Sequence, residues 1–179
     1  MGAPRRHDWW LKIKMRIRFL IFIWIAFALT ACKFNPNLQD KGSDLVQGKW
    51  EEIPLAYQDE LLQYTQHQFS FSCDSFYVQM NTSARANTYP DSCFNGGYWE
   101  EYAKGTYRKS NDTLYLNGTF TKSNWKQKIS GCYRIGQYLE ALIIEKRVQD
   151  TLYFKSLTRH TPLKLKLLES VVCKPKPLN

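Results

Sequence analysis

The chain has very little histidine and no closely spaced cysteines. Three histidines and five cysteines are spread over 179 residues, and no CxxC or HxxxH pair occurs among them. That spacing excludes the common zinc and iron–sulfur ligand sets, so no metal and no cofactor is expected. Long apolar runs are missing too. The stretch Phe19 to Leu29 is eleven residues, which is too short for a helix that crosses a bilayer. Helical periodicity is scarce, and only Leu55 to Gln66 reads as a short helix. Ser130-Gly131-Cys132 and Asn95-Gly96-Gly97 lack the strand–turn–helix setting of a nucleophile elbow or phosphate loop and read as turns. No catalytic residues emerge, and an enzyme is not the expectation.

The apolar run follows Arg16 and Arg18 and ends in Leu29-Thr30-Ala31-Cys32. This ending resembles the lipobox of bacterial lipoproteins. The resemblance implies cleavage before Cys32, a diacylglyceryl group on its sulfur, and acylation of the new amino group by a palmitate-type chain. Met15-Arg16-Ile17-Arg18 is by itself an ordinary basic leader, so translation is expected to start at Met15. The expected organisation is a signal peptide over 1–31, a lipidated tether over 32–47, a folded domain over 48–173 and a tail over 174–179. The tether reading rests on the polar run KFNPNLQDKGSDLVQ with Pro36 and Gly42. Lys33 does not match the Asp retention signal of enteric bacteria, and no acidic run follows it. The expected location is therefore the bacterial cell envelope, at the outer membrane and facing the periplasm, with the bilayer as a partner through Cys32.

The formal charge of +9 is mostly leader: residues 33–179 carry 19 basic and 15 acidic side chains, or +4. That balance suits solubility but is no nucleic-acid footprint. Four cysteines remain after Cys32, namely Cys73, Cys93, Cys132 and Cys173, an even number that fits two disulfides in an exported chain. Three connectivities are possible. Cys73–Cys93 with Cys132–Cys173 is preferred, because it closes a local loop and pins the tail.

Strand periodicity dominates the rest. Asp74-Ser75-Phe76-Tyr77-Val78 recurs as Asp112-Thr113-Leu114-Tyr115-Leu116 and as Asp150-Thr151-Leu152-Tyr153-Phe154, 38 residues apart each time. Each copy reads as a turn followed by an alternating strand, with the Asp side chain available to backbone amides. Strand-like stretches precede the turns at Gln68 to Cys73, Ala103 to Lys109 and Leu139 to Val148. With Gly48 to Ile53 and Leu163 to Leu168 they make about eight strands. Eight is the number that closes a small antiparallel up-and-down barrel around a filled or ligand-sized interior. The fold class is all-β, and an open sandwich is the second choice. Period two sends Phe76, Val78, Leu114, Leu116, Leu152 and Phe154 inward, and Tyr77, Tyr115 and Tyr153 outward.

Gly48-Lys49-Trp50 on the first strand is similar to the Gly-x-Trp signature of lipocalins. That resemblance implies a barrel with Trp50 closing its base, a basic residue packed over it (Lys164 or Lys166), and a small hydrophobic ligand inside. Trp50, Phe76, Val78, Leu114, Leu116, Leu152 and Phe154 are then the candidate ligand-lining residues, and simple core is the competing role. Tyr102-Ala103-Lys104-Gly105 and Gly131 to Gly136 also resemble short exported Gram-negative lipoproteins that carry the label fumarate hydratase. Such lyases need an iron–sulfur cluster or a Gly-Ser-x-x-Met-Pro-x-Lys-x-Asn loop, and this chain has neither. The Asp-Ser/Thr-apolar triplets resemble a periplasmic O-glycosylation pattern, which implies sugars at Ser75, Thr113 and Thr151. A non-catalytic envelope interaction protein is the alternative to the binder.

Among polar residues, His67 reads as loop-capping or solvent-facing. Glu51-Glu52 and Glu100-Glu101 are neighbours that must face opposite sides of a strand, so neither pair forms a carboxylate dyad. At most one member of each points inward.

Overall fold

A computed structural model describes residues 38–159 and 161–177, together with Arg16 and Arg18. The leader, Met15, Cys32, Lys33, Pro36 and His160 lie outside the described residues. Eight strands follow one another around a closed antiparallel barrel: β1 (Gly48–Glu52), β2 (Gln63–Ser72), β3 (Ser75–Ala84), β4 (Tyr98–Ser110), β5 (Thr113–Thr121), β6 (Gln137–Val148), β7 (Thr151–Ser156) and β8 (Pro162–Glu169). Each strand pairs with its sequence neighbours, and β1 pairs with β8 to close the ring. This is the up-and-down barrel expected from the strand count, and closure removes every free sheet edge.

The 38-residue echo has a specific structural origin. Its three copies form the β2–β3, β4–β5 and β6–β7 hairpins, joined by Cys73-Asp74, Asn111-Asp112 and Gln149-Asp150. The first residue of each loop is left-handed, with φ of 54°, 51° and 51°. In each, the Asp main-chain carbonyl accepts from the strand after the hairpin: Tyr107, Ile144 and Leu167 N–H groups, all at 2.7 Å. The repeated turn therefore stitches each hairpin to the next one through the backbone. The Asp side chains do not bond the turn amides as the sequence suggested. All three turns lie at one end, so that end is short-looped and closed, while the longer connections gather at the opposite mouth.

Alternation fills the closed half. Phe76, Val78, Leu114, Leu116, Leu152 and Phe154 are all buried to 2% exposure or less, and Trp50 to 1%. Tyr77 and Tyr115 face outward at 37% and 38%. Trp50 donates its Nε1–H to the Val46 carbonyl at 2.7 Å, under a fully buried Val46. The basic group over its ring is Arg147 of β6, 5.8 Å from the centroid. Neither Lys164 nor Lys166 fills that role, because both are exposed on the outside of β8, where Lys164 lies over Tyr153 instead. Period two explains the difference: Leu163 and Leu165 take the inward positions of β8.

Residues before β1 cover the closed end. The Gln47 amide donates to the Cys73 carbonyl and to the Tyr107 hydroxyl at 2.8 Å, and its oxygen accepts from Cys73 N–H at 2.8 Å. Gln39 N–H donates to the Lys176 carbonyl at 2.8 Å, beside a Leu38–Pro177 bridge. Gly48 sits where the seam is tightest. A Cβ there would fall 2.6 Å from the Glu169 carbonyl oxygen, at a φ of +140° that disfavours side chains.

Two further expectations fail. No helix forms over Leu55 to Gln66: one 3-10 turn spans Gln58–Glu60, and β2 already begins at Gln63. Tyr64, Thr65 and the alternating His67, Phe69 and Phe71 continue the strand pattern backward, and a full ladder with β3 stabilises it. The disulfides are Cys73–Cys173 and Cys93–Cys132, not the preferred pairs. Cys73 lies at the closed end, whereas Cys93 follows β3, ten residues or roughly 30 Å away along the strand. Cys73 therefore ties the C-terminal segment to the closed end. Cys93–Cys132 joins the β3–β4 and β5–β6 connections at the mouth.

All eight strands, the core and both bridges lie within one compact unit, Leu38–Asn179, which thus holds everything needed to fold by itself. Replacing Cys73 and Cys173 together with Ser should lower the unfolding free energy of this unit by about 2–5 kcal/mol, the range for long covalent loops. Urea titration measures it, and an unchanged midpoint would mean that the closed end holds without its bridge.

Candidate functional site

Toward the mouth the inward positions change character. Along β2 the sequence of inward residues is Phe71, Phe69, His67; along β4 it is Ala103, Glu101; along β6 it is Leu142, Glu140, Tyr138. The buried polar set also includes Thr82, Thr121 and Ser156. A polar layer thus caps the apolar core, and above it opens a cavity of about 560 Å3. Its walls come from the ends of β1, β2, β5 and β6 and from the β1–β2, β5–β6 and β7–β8 connections. Aliphatic and aromatic groups (Leu55, Leu61, Leu139, Phe120, Tyr64) alternate with Glu52, His67, Arg134, Tyr138, Glu140 and Arg159.

Two buried carboxylates, Glu101 and Glu140, and the partly buried Glu52 each have a partner. Glu140 accepts from Ser156 Oγ at 2.6 Å, Thr158 Oγ1 at 2.9 Å and Arg159 Nη2 at 2.9 Å. Burial opposes its charge most strongly, but the adjacent Arg159 and these donors outweigh it and hold the carboxyl below its ordinary value. Glu101 is held by Arg134, which donates its backbone N–H, Nε and Nη2 at 3.1, 3.0 and 2.8 Å. Burial again opposes the charge, and the guanidinium wins, so Glu101 also titrates low. Glu52 accepts the His67 backbone N–H at 3.0 Å and stands 2.5 Å from His67 Nδ1.

His67 is buried to 4% exposure and stacks on Phe69 at 5.9 Å. The same Glu52 oxygen takes both its backbone N–H and its ring Nδ1, which assigns the ring proton to Nδ1 and leaves Nε2 as an acceptor. Burial, aided by Arg159, drives the His67 pKa below its ordinary value despite Glu52, so the ring is neutral near pH 7. The solvent-facing reading of this residue is corrected: β2 starts earlier than the sequence suggested, and that puts His67 on the inward side. Glu52 and Glu101 are the inward members of their pairs. Arg134, Arg159 and Glu140 were not foreseen. The signal for Glu140 was its place two residues before inward Leu142, a charge in a core register.

Tyr138 is 4% exposed, and its hydroxyl has no hydrogen-bond partner among the described residues. Burial pushes its pKa strongly up, so it stays protonated. Arg134 is oriented from outside: Cys132 bridges to Cys93, Tyr133 stacks on Trp99 at 4.7 Å and 7°, and its hydroxyl donates to the Cys93 carbonyl. The guanidinium lies 5.0 Å over the Phe120 ring.

None of the seven residues foreseen as ligand-lining reaches this cavity. Trp50, Phe76, Val78, Leu114, Leu116, Leu152 and Phe154 form the solid core beneath it. The 560 Å3 cavity lies on the mouth side of them, among the polar inward residues. No group of three or more potential metal ligands occurs among the described residues.

These groups set a pH response. The His67 pKa is depressed on folding, so the unfolded chain takes its proton more readily. Its contribution to stability is present above pH 6.5 and is lost as pH falls from there through the lower folded value. Glu101 and Glu140 add stability above 4.5 that is lost at still lower pH. The urea midpoint should therefore fall between pH 7.5 and 5.5, and replacing His67 with Gln should flatten that slope; a variant as pH-dependent as the parent would contradict the assignment. No family model, no curated protein and no solved structure matches the chain.

Proposed function

We propose that this protein is a lipid-anchored lipoprotein of the bacterial envelope whose lipocalin-like barrel holds a small amphipathic molecule at its mouth. One observation carries the binding part: a cavity of about 560 Å3 in which aliphatic and aromatic walls surround buried, oriented polar groups, the size and composition of small-molecule sites. Buried charge that is fully paired, and still borders an open cavity, is costly to maintain for stability alone. The anchoring and the periplasmic, outer-membrane address rest on the lipobox resemblance at Cys32.

The ligand differs from the purely hydrophobic one that the barrel's apolar interior suggested, because that interior is filled. An apolar body against Phe120, Leu61 and Leu139 with a polar head on the His67–Arg159 side matches the lining. The alternative, a solid interaction module, is favoured by the outer aromatic group in which Trp125 meets Tyr77 and Tyr102 edge-on at 4.9 and 5.5 Å.

Native mass spectrometry of the full-length protein, extracted from the envelope in mild detergent, distinguishes the two. A noncovalent adduct of small mass that disappears on denaturation is expected. A clean, adduct-free mass that also fails to take up envelope lipids or small organic extracts would favour the interaction module.

A further inference from the structure

We infer that the mouth takes the acidic head of a small organic anion, and that His67 picks up one proton when that anion binds. The inference rests on the mouth-binding reading above and names its ligand class. It follows from a count of charges and of free hydrogen-bonding positions.

The charged side chains of the cavity wall cancel: Arg134 and Arg159 against Glu52 and Glu140, with Glu101 behind Arg134 adding one more negative charge. With His67 neutral the set therefore carries one net negative charge, which opposes an entering anion. The free positions nevertheless favour one. Among the described residues, Arg159 Nε, Arg159 Nη1 (beside the protonated His67 Nδ1), Arg134 Nη1 and the buried Tyr138 hydroxyl have hydrogens and no acceptor. Opposite these donors, His67 Nε2 is an acceptor that carries no hydrogen, as is Glu52 Oε1. A carboxylate or sulfonate is rich in acceptors and has no hydrogen to offer that nitrogen.

A proton on Nε2 resolves both mismatches. It turns Nε2 from an acceptor into a further donor and cancels the excess negative charge of the set. The groups facing His67 are arranged to accept that change: Glu52 from β1 at 2.5 Å, Arg159 from the β7–β8 connection at 3.3 Å, Glu140 from β6 behind Arg159, and apolar Met80 across the β3 ladder. The Glu52 carboxylate pairs with the imidazolium once it forms. Arg159 opposes the imidazolium in the empty site, and a bound anion accepting from His67 Nε2 and from the free guanidinium hydrogens offsets the opposition. By linkage, the anion raises proton affinity at His67 and the proton raises anion affinity by the same factor. The Tyr138 hydroxyl, buried without a partner, gains one in the same event.

The test uses two dyes of matching apolar body on the Leu38–Asn179 unit made in an oxidising compartment. 1-Anilinonaphthalene-8-sulfonate carries a sulfonate that stays ionised throughout, and N-phenyl-1-naphthylamine is its uncharged counterpart. The expected result is that the anionic dye binds about tenfold more tightly at pH 6.5 than at 7.5, the limit for one coupled proton. The neutral dye should change by less than twofold. Calorimetry in two buffers of different ionisation enthalpy should show close to one proton taken up per anionic dye at pH 7, a measurement that needs no variant. His67→Gln, checked for native near-UV circular dichroism, should remove the pH dependence of anionic-dye binding.

Anionic-dye affinity that is flat with pH, with no proton uptake, overturns the inference while neutral-dye binding keeps the mouth-binding reading intact. Persistence of the pH dependence in His67→Gln also overturns it and moves the proton elsewhere. Failure of both dyes to bind overturns the inference together with the reading on which it rests.

Discussion

The β1–β8 seam is the constraint on which everything else depends. β1 is only five residues long, yet it must satisfy two ladders, pairing Trp50 with Phe69 on one side and with Leu167 on the other. The register shifts between Lys49 and Trp50 on the β8 side, and Gly48 gives the close approach that the shift requires. Without this pairing the sheet would open and expose two unpaired edges. With it, Trp50 is held at the closed end between Val46 and Arg147, and the remaining inward side chains have a fixed volume to fill.

How that volume is filled explains why the site is where it is. The closed half holds a continuous cluster of buried aromatic and branched aliphatic side chains. The mouth half holds His67, Glu101 and Glu140, each buried only because a hydrogen-bonded partner accompanies it. Burying charge in this way stabilises less than an apolar layer of the same shape. Its product is a set of polar groups in fixed positions, braced from outside by the Cys93–Cys132 bridge and the Trp99–Tyr133 stack. The fixed polar positions at the mouth are supported by stability at the base.

Much of the barrel was legible because period two is a strong signal wherever one face is apolar. The three Asp-Ser/Thr copies gave three hairpins, and the inward assignments of Phe76, Leu114 and Leu152 with their partners held throughout. The site was much less legible. Its residues are the inward positions that are not apolar, so hydrophobic alternation fades where they begin. That is why β2 was started at Gln68 instead of Gln63, and why His67 fell outside the strand. Arg134 and Arg159 sit on connections, whose path is set by partners distant in sequence: Glu101 lies 33 residues from Arg134. The disulfides failed for the same reason. Proximity along the chain suggested Cys73 with Cys93, and a strand between them carries the two to opposite ends.

Leu38 and Pro177 bridge each other at the closed end, next to Gln39 and Lys176, and Cys173 is bonded to the β2–β3 turn. The described polypeptide is thus nearly a ring, like the sheet it forms. A few residues joining 177 to 38, with new ends cut in the long connection between β3 and β4, would leave all eight strand pairings in place. Strand order around the barrel would then be a cycle with an arbitrary starting point. The turns that must stay intact are the three tight ones at the base, where each Asp carbonyl fastens one hairpin to the next.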